Sequence, residues 1–166
     1  GRGGGGGEPP APGWEQGETC CTDHLEEQLF PTTALGREFV VSRSPVRSTD
    51  PSWKEPDVYR VLASEDGVQV TTSLGGDLAS FTLNAGEFKP LWADRGFTLS
   101  ASGAVTVGQV LISQQRIPQG GIGDPSLLIF SAAEQHRKDY VFLVLTTFAV
   151  NYFVLAKPVT GKFAVA

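Results

Sequence analysis

Methionine is absent from this 166-residue chain, cysteine occurs only twice, at adjacent positions, and there are only two histidines. A zinc site needs about four ligands, usually as two separated Cys or His pairs. Cys20, Cys21 and His24 offer too few at workable spacing, with His136 far away in sequence. No metal and no cofactor is therefore expected. Adjacent cysteines bond each other only through a strained ring, so one of the two is expected to pair with a cysteine elsewhere. Basic residues are scarce as well: 13 Lys and Arg stand against 18 Asp and Glu, a net charge of −5. Without a clustered basic patch to neutralise phosphates, nucleic acid is excluded as a partner. There is no Gly-x-Ser-x-Gly elbow and no His-Glu-x-x-His, so the chain carries no hydrolase motif and no catalytic residue is assigned.

A long apolar helix is missing too. Tyr140 to Ala156 runs seventeen residues without a charge, close to the minimum for crossing a bilayer. Thr146, Thr147 and Asn151 interrupt it, and its Val, Phe and Tyr content favours two buried strands over a membrane span. The first thirteen residues hold seven Gly and three Pro and show no apolar periodicity. Residues 1–17 are accordingly read as a flexible leader, and Gly3 to Gly7 lacks the strand and Lys-Ser/Thr of a phosphate loop.

What is present is one pattern written twice. Tyr59-Arg60-Val61-Leu62-Ala63 returns as Tyr152-Phe153-Val154-Leu155-Ala156. Arg37-Glu38-Phe39-Val40-Val41 returns as Lys138-Asp139-Tyr140-Val141-Phe142, and Glu27-Gln28 as Glu134-Gln135. The order is kept while the connections shorten. Repetition on this scale marks a supersecondary unit that packs against its neighbours. Residues 18–115 are read as a first β module and 116–166 as the start of a second. With no Met and a second copy that stops early, the chain is expected to be a piece of a longer protein.

Short β-branched and aromatic runs alternate with Gly, Asp, Asn and Pro, the signature of an all-β antiparallel sandwich. Strands are expected at Glu38 to Ser42, Val58 to Ser64, Val68 to Ser73, Ala79 to Asn84 and Glu87 to Trp92. Phe97 to Ala101 and Val105 to Ser113 follow as two strands parted by Ser102-Gly103. Asp66-Gly67 is the expected turn of a hairpin joining the second and third strands. In the second copy strands are expected at Leu127 to Phe130, Tyr140 to Leu145, Tyr152 to Lys157 and Lys162 to Val165. Short helical turns fit only Thr22 to Leu29 and Ala132 to Lys138.

Two kinds of residue stand out as candidates. Trp53 and Lys54 sit in a Pro-bracketed loop, Asp50 to Pro56, that the second copy does not share. With Trp92 they are the candidate ligand-binding residues, because Trp is large and rigid with one polar handle. Simple packing of the loop on the sheet edge is the rival reading. The Glu27-Gln28 and Glu134-Gln135 pairs occur in both copies. They would serve as a catalytic acid and base only if they converged on one cleft. They are instead expected to satisfy main-chain groups in nearby loops.

The chain resembles the IgGFc-binding protein N-terminal domain family. The resemblance is carried by Cys21-Thr22-Asp23-His24-Leu25-Glu26-Glu27-Gln28-Leu29-Phe30-Pro31, Gly36 to Val40 and Asp57 to Gly67. It continues through Leu83 to Glu87, Val107 to Leu111, Gly123-Asp124-Pro125-Ser126 and Glu134 to Phe142. It departs where the family usually has prolines, at Ser131-Ala132-Ala133, and at Leu145-Thr146-Thr147. The resemblance implies a β-rich, extracellular or cell-surface binding module with a protein or glycan ligand. Among family-motif residues it marks Asp23, His24, Glu27, Gln28, Arg60, Asp124, Glu134 and Gln135 as structural. Antibody Fc binding belongs to the animal members, whereas this acidic, lysine-poor chain looks more like a bacterial secreted relative. The expected role is non-catalytic adhesion or ligand binding. Alternative roles are a carbohydrate-binding accessory domain of a secreted hydrolase, and a spacer in a repeat array.

Overall fold

The computed structural model describes residues 25–114, 117, 118, 123, 125–147, 150–157 and 160. They form an all-β fold with only short 3-10 turns beside seven antiparallel strands: β1 (Gly36–Val41), β2 (Asp57–Ala63), β3 (Val68–Thr72), β4 (Ser80–Leu83), β5 (Phe88–Ala93), β6 (Phe97–Val110) and β7 (Leu127–Ile129). The expected leader, Cys20 and Cys21, and the strand at Lys162 to Val165 lie outside the described residues.

β6 organises the sheet. Its first half pairs with β3 on one edge and β1 on the other; its second half pairs with β2 and β7. β5 completes the second half against β2, and β4 the first half against β3. Ser102-Gly103 does not break the strand as expected. The chain runs through as one 14-residue element that bends where a small residue lets Glu65 and Val68 close in on Gly103.

Asp66-Gly67 is likewise not a two-strand hairpin. β2 and β3 are not paired with each other; they follow one another along the same edge of β6. The reason is visible in the bonds at the kink. Asn84 Oδ1 accepts from the N–H of Gly67 (φ 68°), and Asp66 Oδ1 accepts from that of Ala85. Glu65 Oε1 accepts from Ala104, and Ser102 Oγ from Gln69. Side chains thus satisfy the backbone groups that a corner leaves unpaired, and a kinked ladder replaces the turn. The chain reverses at Gly75-Gly76 between β3 and β4, with both glycines at positive φ.

The bend makes the two halves face each other. Phe39, Val41, Tyr59, Val61, Val68, Val70, Leu91, Leu99, Val105 and Val107 fill the space between them as one core. β2 shows why the sequence supports this: Val58, Tyr59, Val61 and Ala63 are all buried while Arg60 is exposed. Its guanidinium lies 5.2 Å over the Phe88 ring.

Residues 125–136 pack onto the same sheet. β7 joins β6, and Ala132 enters the core beside Gly36. The expected strands at Tyr140 to Leu145 and Tyr152 to Lys157 do not form. Among the described residues no strand lies beside them, and a strand without a partner leaves its N–H and C=O groups unpaired. The two runs are exposed and touch through Phe142 and Phe153, whose rings are 4.6 Å apart.

Candidate functional site

Trp53, Lys54 and Trp92 come together. They line one open groove of about 550 Å3 with Pro56, Leu74, Leu78 and Arg95. Three pieces of chain form its walls: the loop after β1, the turn between β3 and β4, and the end of β5. Both indoles are half-buried and pack against Val58, Ile112 and Ile117. The loop therefore does pack on the sheet edge, the rival reading, while its tryptophans also contribute to the groove wall.

The loop is held firmly from below. Glu55 is 1% exposed although it is a carboxylate, and a buried charge must be paired. Arg47 supplies the pairing at 2.6 Å from Nη2, with Nε donating at 2.7 Å to the same oxygen. The Arg47 N–H bonds the other carboxylate oxygen, and Nη2 reaches Ile112 O at the end of β6. Arg43 donates to the carbonyls of Glu55 and Asp94, tying the loop to the end of β5. Above this, Asp50 Oδ1 accepts from Ser52 N and Oγ. The Ser52 hydroxyl, followed by its N–H, holds the Asp50 carboxyl below its ordinary range.

Asp57 and Tyr59 extend the buried polar layer. Asp57 Oδ2 accepts from Ser44 N at 2.7 Å and from the Tyr59 hydroxyl at 3.3 Å, with Arg43 Nε 4.0 Å away. Burial pushes the Asp57 carboxyl up, opposed by the Ser44 N–H and the Arg43 charge. Burial, then the Asp57 charge, drives the Tyr59 phenol far above its usual value. The hydroxyl therefore stays protonated and donates to Ser42 O at 2.9 Å. This layer is a fixed support: apart from Arg47 Nη1, which is buried without a hydrogen-bond partner, its polar groups bond one another and the backbone.

At the groove itself the charges are modest. Lys54 Nζ stands 3.7 Å from Asp94 Oδ2 and is mostly in solvent, so the pair contributes little to stability. Arg95 donates to Leu74 O at 2.6 Å and braces the β3–β4 wall. Two indoles with two exposed cations, Lys54 and Arg95, and the Asp94 carboxylate can take a flat or extended ligand by stacking and a few polar contacts.

The Glu134-Gln135 pair sits elsewhere. Glu134 Oε1 accepts from the N–H groups of Arg37 (2.9 Å) and Glu38 (3.3 Å), and Gln135 Nε2 donates to Ala34 O at 2.6 Å. The main-chain groups the pair satisfies belong to the start of β1 and the turn just before it, far away in sequence, and not to its own loop. Partial desolvation raises the Glu134 carboxyl, but the N–H donors of Arg37, Glu134 and Glu38 and the Arg37 charge outweigh it and hold it low. Glu27 and Gln28 are exposed in irregular chain. Asp23, His24 and Asp124 lie outside the described residues.

Sequence reasoning missed Arg43, Arg47, Glu55 and Asp57. Charged residues in an aperiodic loop read as solvated; the one hint was two Arg and two acids bracketing the same Pro-rich stretch. Arg95 and Leu78 were missed because they reach the groove only through the folding of the sheet.

No curated protein and no solved structure matches this chain. The family model described as IgGFc binding protein matches residues 9–165. That span is nearly the whole chain and includes every strand, Trp53, Trp92 and the Glu134-Gln135 clasp, so the chain belongs to this family.

Proposed function

We propose that this is a non-catalytic extracellular binding module whose contact surface is the groove lined by Trp53 and Trp92, and that its ligand is a protein. The observation that carries this reading is the juxtaposition of Trp53, Lys54 and Trp92 over the buried Arg47–Glu55 pair. A rigid support beneath exposed aromatic surface lowers the ordering cost of binding, and half-buried Trp is the residue type most often dominant at protein interfaces. Family membership supports a binding role. A second reading, sugar stacking, is favoured by the same two indoles in an open groove. The two are separated by offering the purified chain a glycan array and a panel of extracellular proteins. The family description makes the IgG Fc fragment the first protein to include. Trp53-dependent binding to a protein supports the proposal. Trp53-dependent binding confined to glycans supports the second reading, and binding unaffected by loss of Trp53 overturns both.

A further inference from the structure

The second copy carries the β1 and β2 patterns in a place where no strand among the described residues covers them. Tyr59 is 0% exposed on β2, whereas its counterpart Tyr152 is 71% exposed; Phe39 on β1 is 3% exposed and its counterpart Tyr140 61%. Val41, Val61 and Ala63 are buried, while Phe142, Val154 and Ala156 are exposed. The letters are those of a core, and apolar runs of this size in solvent mark an interaction surface.

The first copy shows what covers them. β1 and β2 do not pair with each other. Each is bonded to β6, β1 along Phe97 to Val105 and β2 along Val105 to Val110. A single strand therefore buries both patterns at once, supplying Phe97, Leu99, Val105 and Val107 to the core. It does so with Gly103, beside Glu65 and Val68, and Gly108, beside Ile129 and Leu127.

In the second copy the two runs already lie side by side. Phe142 and Phe153 are in ring contact, and Asn151 Nδ2 donates to Leu145 O at 3.3 Å. Glu134 anchors the start of the segment on β1 of the first copy. What the segment lacks is the strand itself.

We propose that residues 140–145 and 152–157 are a docking surface for one extended strand of β6 pattern, donated by a further copy of this same repeat unit. It would add antiparallel to Tyr140-Val141-Phe142 and to Tyr152 through Ala156. Strand addition of this kind draws affinity from main-chain hydrogen bonds and specificity from alternate side chains. The register is set by which face is apolar, and here the apolar face matches that of β1 and β2.

The test uses the full chain with a synthetic peptide of Phe97 to Val110 and a shuffled peptide of the same composition. Hydrogen–deuterium exchange is followed at peptide resolution. The expected result is saturable protection at 140–145 and 152–157 with the native-order peptide only, and unchanged exchange within the chain's own β6. Val154→Asp should remove that protection while residues 25–136 exchange as before. The proposal is overturned if neither peptide protects the segment or both protect it equally. Faster exchange of the resident β6 on peptide addition would overturn it as well, because the peptide would then be displacing that strand. Protection that rises with chain concentration and no peptide would show self-pairing of the 140–157 segments, and would also overturn it.

Discussion

Tyr59 and Phe97 meet edge to face with ring centroids 5.1 Å apart, although the residue paired with Tyr59 on β6 is Gln109. Along a straight strand, Phe97 and Gln109 would lie about 40 Å apart. The ring contact is possible only because β6 folds back over the core near Gly103, bringing the first half of the sheet onto the second. β2–β5 pairing sets the end of β5 beside the Trp53 loop, and the same bend brings the β3–β4 turn over to them as the third wall of the groove.

Gly103→Ala should therefore destabilise the fold by about 1–3 kcal/mol, the usual cost of overpacking. A Cβ there would stand 2.7 Å from Val68 Cγ2 and press on the Glu65 carboxylate. A urea unfolding series reads this as a lower midpoint with unchanged slope. An unaltered midpoint would mean that the corner has room to spare.

Arg47→Met should cost more, about 3–5 kcal/mol, because it leaves the Glu55 carboxylate buried without its cation. The double variant Arg47→Met/Glu55→Gln should recover part of that loss in the same unfolding measurement. The coupling between the two sites is the quantity to compare.

Glu134 gives stability a pH dependence of predictable sign. Its carboxyl is held below its ordinary value in the fold, so its contribution is present above the unfolded value, about 4.3. That contribution is lost as pH falls through the lowered folded value. Glu134→Gln should flatten this part of the acid limb. Asp57, shifted upward, acts in the opposite sense: its contribution is full below about 3.9 and lost as pH rises through its raised value. Thermal melts of Glu134→Gln and Asp57→Asn between about pH 3 and 6 should show opposite changes in slope.

Strands β1 to β5 were legible because half-buried strands alternate and turns need Gly, Asp or Asn. Val68, Val70 and their neighbours follow that pattern plainly. The corner was not legible, since Asp66-Gly67 has the letters of a hairpin and only the reach of Asn84 and Glu65 makes it a kink. Trp53 and Trp92 could be singled out by chemistry and loop context, but their meeting depends on β5 ending beside the loop. Arg47 and Glu55 were invisible as a pair because nothing in an aperiodic loop signals burial. Tyr140 and Tyr152 read as core but are exposed, since among the described residues no strand pairs with either run, and pairing is something no local pattern records.

The binding claim rests on Trp53. Its indole packs partly on Ile112 and Ile117, so Trp53→Ala carries some stability cost, but the Arg47–Glu55 support stays intact. The decisive measurement is a calorimetric titration of wild type and Trp53→Ala with the protein identified from the panel, alongside thermal melts. The account predicts affinity weakened by about 1–3 kcal/mol, roughly five- to 150-fold, with a cooperative melt retained. Wild-type affinity in a folded Trp53→Ala chain would contradict it and place the contact surface elsewhere.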